Sequence, residues 1–426
     1  MATILVIDDD IDVAETIQSL LELKGFDVVL ATDGKRGLTA LDTVGWSGVD
    51  LVITDLVMPQ LDGFGFLRVY GQHPQPRPPV LAMSSMHAYL DTAVALGAAA
   101  ALLKPFETRD LMAHVRALTS GKTPSRPAAS ASPDPDAEAR RLLLIDELRL
   151  EAPDMASLFG PFVDRVAAHV GVPMCLLSII DRTRQYWSAG CGIPLPLQSA
   201  HGGARQDAFC THAVEARSPL IVQDAAENPV FADNVLVRTQ SLRFYAGVPV
   251  FTITGEAVGT LCVLDFRPRD FSHSDLKLLF LMARRASAEV ERRERLLASG
   301  AAVAIDDHAH VVDEETGAFA RPSFIELVGI EAARCIERTQ TLVLLLIDLH
   351  PSAAPDVVRR LEACYSADWV GRLSPTRLGL PLAGTDGPAA RRRVAEMVGR
   401  DGVVSAVDLT GRVASGLDLV RIAATM

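Results

Sequence analysis

The chain has no excess of basic residues: 41 of its 426 residues are Lys or Arg, 53 are Asp or Glu, and the formal net charge is −12. A nucleic-acid-binding surface needs a basic face, so this balance argues against DNA as a partner. No apolar run reaches the length of a membrane span, because the Ala-rich run at residues 93–103 is short and interrupted by Gly97. The first residues run directly into a strand-like segment without the features of a signal peptide. The six cysteines form no CxxC pair, which predicts reduced thiols in a cytoplasmic protein.

The length suggests roughly three domains. Residues 119–138 are rich in Pro, Ser and Ala and contain almost no large apolar residue, so they cannot form a core and are predicted to be a flexible linker. Before them, short apolar runs alternate with helical patterns, which predicts a doubly wound α/β domain in residues 1–118.

Carboxylates follow two of the predicted strands. Residues 4–7 end at Asp8, Asp9 and Asp10, and residues 51–53 lead to Asp55. In an open parallel sheet, chemistry collects at the carboxyl ends of the strands. Adjacent carboxylates repel each other unless a cation compensates them, so the sequence predicts an oxygen-rich site for a hard ion such as Mg²⁺.

Two further strand ends complete this group of residues. Residues 80–83 lead to Ser84, and residues 101–103 lead to Lys104. Carboxylates, a divalent cation, a hydroxyl and a lysine are the groups needed to phosphorylate an aspartate.

The order DD, D, S and KPF at these spacings resembles the receiver domain of two-component response regulators, which has a flavodoxin-like (βα)5 fold. The resemblance implies that Asp55 is the phosphoacceptor and that Ser84 and Lys104 hold the phosphoryl oxygens. It also implies that Asp9, Asp55 and the backbone carbonyl of Val57 bind Mg²⁺ directly, with Asp8 acting through water. The family usually has an aromatic switch residue three positions before the lysine, where this chain has Ala101.

Residues 139–298 contain helical segments followed by consecutive strand-like runs, which predicts an antiparallel sheet with flanking helices. The segments VPMCLLSIID, QDAFCTHAV, NPVFADN, RFYAGVPV and GTLCVLD resemble the GAF sensor family. That resemblance implies a pocket for a small ligand, with Cys210, His212 and Tyr245 as candidate lining residues beside Asp207 and Arg243. A bilin attached near Cys210 and His212 is the sharper hypothesis, and a packed thiol with a hydrogen-bonded histidine is the structural alternative.

The domain ends in a long helical pattern that begins near Ser272. Apolar and small residues follow a 3-4 spacing that is compatible with a coiled-coil seam between two protomers. A helix packed on its own sheet explains the same spacing, and both interpretations stay open.

The last segment, residues 303–426, resembles a GGDEF domain, whose fold is ferredoxin-like or palm-like. The resemblance rests on three segments: Asp313 to Gly317 with Arg321 and Phe324, a predicted strand at residues 342–347 that ends at Asp348, and the sequence DWVGRL that precedes the signature hairpin. The signature hairpin itself is replaced by Ser374, Pro375, Thr376, Arg377 and Leu378. Without paired glycines and acids there, the sequence predicts that diguanylate cyclase activity is lost.

The sequence thus predicts a cytoplasmic response regulator that a histidine kinase or a phosphotransfer protein phosphorylates on Asp55. Output is expected through homodimerisation or an unidentified downstream protein partner. The alternatives are a regulated diguanylate cyclase and a sensor that binds a small molecule, or a bilin, in the GAF domain.

Overall fold

A computed structural model describes residues 2–58, 61–74, 76–85, 87–104, 106–120, 135–150, 152, 154–194, 201–298, 311–313, 315–364 and 369–410. The chain divides into two compact units. The first unit contains a five-stranded sheet, and the second contains a six-stranded and a four-stranded sheet. Most of the predicted linker, at residues 121–134, lies outside the described residues.

The first sheet is parallel, with strand order β2-β1-β3-β4-β5, and helices connect its strands. Its elements are β1 (Thr3–Ile7), α1 (Ile11–Glu22), β2 (Asp27–Ala31), α2 (Gly34–Val44), β3 (Leu51–Asp55), α3 (Gly63–Gln72), β4 (Val80–Ser84), α4 (His87–Ala95), β5 (Ala100–Leu103) and α5 (Thr108–Thr119). The predicted flavodoxin-like (βα)5 arrangement is confirmed. Helix α1 begins at Ile11 because the Asp10 side chain accepts hydrogen bonds from the Asp12 and Val13 N–H groups and caps the helix.

The second sheet is antiparallel, with strand order β8-β7-β6-β11-β10-β9. Its elements are α6 (Pro135–Leu148), α7 (Asp154–Val170), β6 (Met174–Ile180), β7 (Arg184–Cys191), β8 (Gly202–Ala204), α8 (Phe209–Ala216), β9 (Leu220–Val222), α9 (Val235–Gln240), β10 (Phe244–Phe251), β11 (Ala257–Asp265) and α10 (His273–Ala298). The predicted antiparallel sheet with flanking helices is confirmed. The turn between β10 and β11 places Gly255 at a φ of 78°, where glycine has no steric penalty.

Helix α10 packs on β10 and β11 of its own domain and on the helix that follows it in the chain. The residues of the proposed coiled-coil seam that are described here and apolar, Leu276, Leu279, Ala283, Ala286 and Val290, are all buried within the chain. The apolar stripe therefore belongs to the intramolecular core, and the interpretation as a seam between two protomers is wrong for these residues.

The third sheet has strand order β13-β14-β12-β15, and every pair is antiparallel. Its elements are α11 (Arg321–Glu337), β12 (Leu342–Leu349), α12 (Ala354–Cys364), β13 (Gly371–Ser374), β14 (Arg377–Ala383), α13 (Gly387–Val398) and β15 (Gly402–Asp408). From β12 onwards this is a βαββαβ order with the first strand in the interior of the sheet, which is the ferredoxin-like arrangement.

Buried charges join α10 and α11 within the second unit. Arg334 is 3% exposed, and its guanidinium lies 2.9 Å from Asp275 and 2.7 Å from Glu331. The other carboxylate oxygen of Glu331 lies 2.7 Å from His169 Nε2, and the indole N–H of Trp369 donates to His169 Nδ1 at 2.8 Å. Burial raises the pKa of Glu331, but its hydrogen bonds with His169 and Arg334 outweigh this effect and lower that pKa. The contact between the two domains of this unit thus contains a network of buried, hydrogen-bonded charges whose members depend on one another.

Candidate functional site

The carboxyl edge of the parallel sheet carries the polar residues that the sequence singled out. Asp8 follows β1, Asp55 is the last residue of β3, Ser84 is the last residue of β4, and Lys104 follows β5. Because parallel strands all end at the same edge, residues that are far apart in sequence meet there. Asp8, Asp55 and Ser84 are buried to 1%, 7% and 1% exposure.

Lys104 joins the carboxylates across this edge. Its Nζ lies 2.8 Å from Asp8 Oδ2 and 2.6 Å from Asp55 Oδ1. Its backbone N–H donates to the Ser84 carbonyl at 2.8 Å, which fixes the start of the lysine loop against β4. The second oxygen of Asp55 accepts from the backbone N–H of Val57 at 2.9 Å. The structure therefore brings the predicted aspartates, serine and lysine to one place.

The backbone at Gly63 packs closely against the backbone of Asp55 and Leu56. A Cβ atom at Gly63 would lie 2.3 Å from the Asp55 carbonyl oxygen and 2.7 Å from Leu56 Cα. Glycine at the start of α3 therefore lets the turn after Asp55 fold tightly against the strand end, and the side chain of Asp62 caps that helix by accepting from the Gly65 N–H.

The electrostatics of the edge are unbalanced. Burial raises the pKa of Asp8 to about 6; Lys104 opposes this effect, whereas the neighbouring Asp55 and Asp9 add to it. Burial alone would lower the pKa of Lys104, but Asp55 and Asp8 outweigh it and hold that pKa well above its ordinary value. Asp8 and Asp55 thus share one lysine, which leaves a surplus of negative charge.

This surplus is what a divalent cation would neutralise. In the described residues, no group of three or more His, Cys, Asp or Glu side chains is arranged to hold a metal on its own. The predicted Mg²⁺ set needs fewer side chains, because it combines Asp9 and Asp55 with the Val57 carbonyl and uses Asp8 through water. Asp9 and Val57 are both half-buried at the rim of the site, so the residues present fit the ion.

A second candidate site is a cavity of about 50 Å³ on one face of the six-stranded sheet. Alternate residues of each strand face it, as the pleat requires. Its polar and sulfur-bearing lining residues are Met174, Gln185, Trp187, Cys210, Gln240, Tyr245 and Cys262. An engineered cavity of roughly 150 Å³ admits benzene, so this one has room only for a molecule of a few heavy atoms and is too small for a tetrapyrrole.

Cys210 lies at the centre of the polar contacts in this cavity. Its Sγ accepts from Gln185 Nε2 at 3.3 Å and from the Tyr245 hydroxyl at 3.4 Å, and it lies 3.7 Å from Cys262 Sγ. Burial opposes ionisation of Cys210, but hydrogen bonds from Cys262, Thr260 and Tyr245 outweigh it and lower the pKa of this thiol. Burial raises the pKa of Cys262, so Cys210 is the more readily ionised thiol of the pair.

His212 does not face the cavity. Two residues along helix α8 from Cys210, its side chain points outward, is exposed, and packs edge-on against Phe231. Arg243 forms an ion pair with Asp224 instead of lining the pocket. The expectation for these two residues is wrong, because helical and strand periodicity turn neighbours in sequence to different sides. Asp207 is also absent from the cavity lining.

The sequence patterns did not single out Gln185 or Cys262, although both contact Cys210. The alternation along β11 could have predicted the orientation of Cys262, since Leu264 and Cys262 share one face. Nothing in the sequence connected that face to α8.

In the four-stranded sheet, the hairpin between β13 and β14 carries a cation where the resembling family has an acid. Arg377 Nε lies 2.6 Å from Asp348 Oδ1, and a second guanidinium nitrogen lies 3.1 Å from Asp348 Oδ2. The two residues face each other in the β12–β14 register. The retained carboxylate is therefore held by a bidentate ion pair.

Comparison with known proteins agrees with the two N-terminal folds. The response regulator receiver domain family matches residues 4–116, and the GAF domain family matches residues 154–290. A cyclic di-GMP phosphodiesterase of Pseudomonas aeruginosa, PA2567, is 28% identical over 269 residues, covering 59% of this chain and 42% of that protein. The transcriptional regulatory protein CpxR of Escherichia coli is 36% identical over 120 residues, covering 28% of this chain and 49% of that protein.

The chain thus spans less than half the length of either of these relatives. A solved receiver domain protein from Clostridium thermocellum is 31% identical, covers 28% of this chain and 95% of that one, and has a TM-score of 0.26. In the described part of the chain, no helix has the length and apolar character needed to cross a membrane. The chain contains a response regulator receiver domain followed by a GAF domain.

Proposed function

We propose that this protein is a response regulator whose Asp55 accepts a phosphoryl group from a histidine kinase or a phosphotransfer protein. The observation that carries the proposal is the position of Lys104, which contacts both Asp55 and Asp8 at the carboxyl edge of the parallel sheet. This arrangement holds Asp55 as a buried carboxylate next to a cation.

The chemistry follows from these contacts. A lone pair on a carboxylate oxygen of Asp55 attacks the phosphorus atom of the donor. An acyl phosphate forms as the bond between phosphorus and the donor group breaks, and the donor group leaves with the electron pair of that bond. Lys104 and the Ser84 hydroxyl neutralise and hold the oxygens of the transferred group. Asp9, Asp55 and the Val57 carbonyl would hold Mg²⁺, which supplies further charge neutralisation when bound.

Phosphorylation with acetyl phosphate and Mg²⁺ tests this proposal. The wild-type chain and the Asp91→Asn control, which alters an exposed aspartate on α4, should both acquire one acid-stable, base-labile phosphoryl group detectable by intact-protein mass spectrometry. Asp55→Asn should acquire none. A phosphoryl group of the same lability on Asp55→Asn would contradict the assignment.

For the C-terminal domain we propose a fold that resembles a GGDEF domain and has lost diguanylate cyclase activity. The ion pair of Asp348 with Arg377 supports this, because it occupies the carboxylate that a metal site would need. Incubation with GTP and Mg²⁺ should give no cyclic di-GMP. Production of cyclic di-GMP that disappears in Asp348→Ala would show that the domain is a cyclase. Incubating the same purified proteins with cyclic di-GMP tests for phosphodiesterase activity, the activity named for the Pseudomonas relative.

Output then passes through binding, either to a downstream protein or to a second copy of the chain. Self-association would use a surface other than the buried stripe of α10. Affinity capture with the full-length chain, phosphorylated or carrying Asp55→Asn, should retain different partners or different amounts of self-complex. Capture of the same partners in the same amounts in the two states would show that Asp55 does not control the binding that produces the output.

The cavity of the GAF domain favours a second function, sensing of a small molecule. Its volume of about 50 Å³ and its cluster of Gln185, Cys210 and Tyr245 fit a ligand of a few heavy atoms. Native mass spectrometry of the purified full-length chain should detect such a ligand, and its loss in a cavity-filling variant would place it.

A further inference from the structure

The volume and the lining of the cavity in the GAF domain limit which molecules can bind in it. Its volume of about 50 Å³ exceeds the space that one water needs, roughly 10–15 Å³, and remains far below that of a cavity for an aromatic ring. Trp187 lines it, and the indole nitrogen of this residue is buried with no hydrogen-bond partner in the described part of the chain. Most of the lining is apolar, and the Trp187 N–H is a donor there for a small polar molecule.

The Cys210 and Cys262 side chains form the reactive part of this cavity. Both are buried, at 2% and 0% exposure, and both line the cavity. Their sulfur atoms are 3.7 Å apart, which is van der Waals contact, and a disulfide bond requires about 2.05 Å. Formation of a disulfide would need the two sulfur atoms to approach further.

The surroundings of Cys210 prepare a nucleophile. Donors from two strands, Gln185 on β7 and Tyr245 on β10, converge on its sulfur. The position of the tyrosine depends on Gly247, where a Cβ atom would lie only 2.1 Å from the Tyr245 hydroxyl oxygen. Hydrogen bonds to a sulfur favour its thiolate, and the thiolate is the form that attacks oxidants.

A second pair of cysteines in the same domain provides an internal contrast. Cys175 and Cys191 face each other in the β6–β7 register. Burial raises the pKa of both thiols, and neither lines the cavity. Proximity of two cysteines is therefore common to both pairs, whereas a cavity and converging donors belong to Cys210 and Cys262.

We propose that Cys210 and Cys262 are a peroxide-reactive thiol pair, and that hydrogen peroxide entering the cavity converts them to a disulfide. The thiolate of Cys210 attacks one peroxide oxygen, the O–O bond breaks, and the departing hydroxide takes up a proton to leave as water. The resulting sulfenic acid is attacked by the sulfur of Cys262, which loses its proton as the S–S bond forms and a second water leaves. Two thiols are oxidised and one peroxide is reduced to two waters.

The disulfide would link α8 covalently to β11. It would also remove the Cys210 thiolate, to which Gln185 and Tyr245 both donate hydrogen bonds. It therefore gives the sensor function proposed for this cavity a chemical class of input, a small peroxide. The inference rests on that proposed function, and the two can fail separately.

The experiment uses the full-length chain, reduced and then treated with hydrogen peroxide, followed by peptide mapping without reductant. A cross-link between the peptides of Cys210 and Cys262, reversed by dithiothreitol, is expected in the wild type and in the Cys175→Ser control. Cys262→Ser should stop at the sulfenic acid, which dimedone traps on Cys210. Cys210→Ser should leave Cys262 as a free thiol.

A second measurement guards against variants that fail to fold. In the unmutated reduced chain, iodoacetamide should alkylate Cys210 at least roughly tenfold faster than Cys175, because the thiolate fraction sets the rate. Tyr245→Phe should move the pH midpoint of that reaction upward at Cys210 and leave the midpoint at Cys175 unchanged. Equal rates at the two cysteines, or peroxide treatment without the cross-link, would overturn the pair as a redox site. If native mass spectrometry then still finds a retained ligand, the sensor function stands without the redox pair; if it finds none, both proposals fall.

Discussion

Replacing Asp8 by asparagine is expected to stabilise the receiver domain at neutral and alkaline pH. Asp8 is 1% exposed, and burial raises its pKa to about 6. A carboxyl group whose pKa is higher in the folded chain than in the unfolded chain, where it is near 3.8, disfavours the fold once it is ionised. Asparagine has the same shape without the charge.

The magnitude follows from the shift. Each unit of pKa corresponds to 1.36 kcal/mol, so the rise from 3.8 to about 6 gives roughly 3 kcal/mol of destabilisation. The penalty is absent below pH 3.8, grows as the pH rises to about 6, and is complete above that value. Asp8 also accepts a hydrogen bond from the Asp10 backbone N–H at 3.0 Å and one from Lys104. An amide can serve only one of these donors well, which costs about 1–2 kcal/mol. The net gain is therefore about 1–2 kcal/mol.

Hydrogen exchange measured by mass spectrometry on peptides from β1 and β3 isolates the receiver domain within the full-length chain. At pH 8 with EDTA, these peptides should exchange roughly 5–30-fold more slowly in Asp8→Asn than in the wild type. The difference should shrink towards pH 4. Adding Mg²⁺ should slow exchange in the wild type more than in the variant.

The matched control is Glu15→Gln, which removes one negative charge from an exposed position on α1. It should leave exchange of the β1 and β3 peptides nearly unchanged. Exchange in Asp8→Asn that is equal to or faster than in the wild type at pH 8 would show that the buried carboxylate is not destabilising, and the surplus charge inferred for this site would then be wrong.

Two further pairs of substitutions test the second unit, each by thermal and urea unfolding. Arg334→Ala should destabilise the second unit by roughly 3–5 kcal/mol, because it leaves buried carboxylates without their cation. The control Arg292→Ala removes a surface ion pair and should change the free energy of unfolding by less than about 1 kcal/mol. Equal effects of the two substitutions would show that the buried ion pairs do not stabilise the fold. Gly371→Ala should cost about 1–3 kcal/mol, because its Cβ would lie 1.9 Å from the Phe324 ring. Gly329→Ala, in a helix with no atom within 4 Å of the added methyl, should be stabilising by up to about 1 kcal/mol, and a loss at this position as large as at Gly371 would contradict the steric argument.

Where a motif combines strand ends with charged residues, the sequence was sufficient to predict the fold and which side chains meet at the edge of the sheet. The apolar runs before Asp8, Asp55, Ser84 and Lys104 predicted parallel strands, and the geometry of such a sheet brings their ends together. The contact of Lys104 with Asp55 follows from this rule, because each strand carries its polar residue at the same edge.

The sequence had less to say where side chains from unrelated elements meet. The 3-4 spacing of α10 fits a seam between protomers as well as a core-facing stripe, and only packing on β10 and β11 distinguished them. His212 was predicted to accompany Cys210, but helical geometry turned it to the surface.

By itself, the sequence determined the order of the receiver and GAF domains and the carboxylates at the receiver edge. Only the tertiary structure decided that Arg377 pairs with Asp348, that Arg334 is shared by buried carboxylates, and that Cys262 lies against Cys210. The physical reason is that strand and helix periodicity are local and can be read along the chain. The pairing of two side chains 29 or 52 positions apart depends on how separate elements pack.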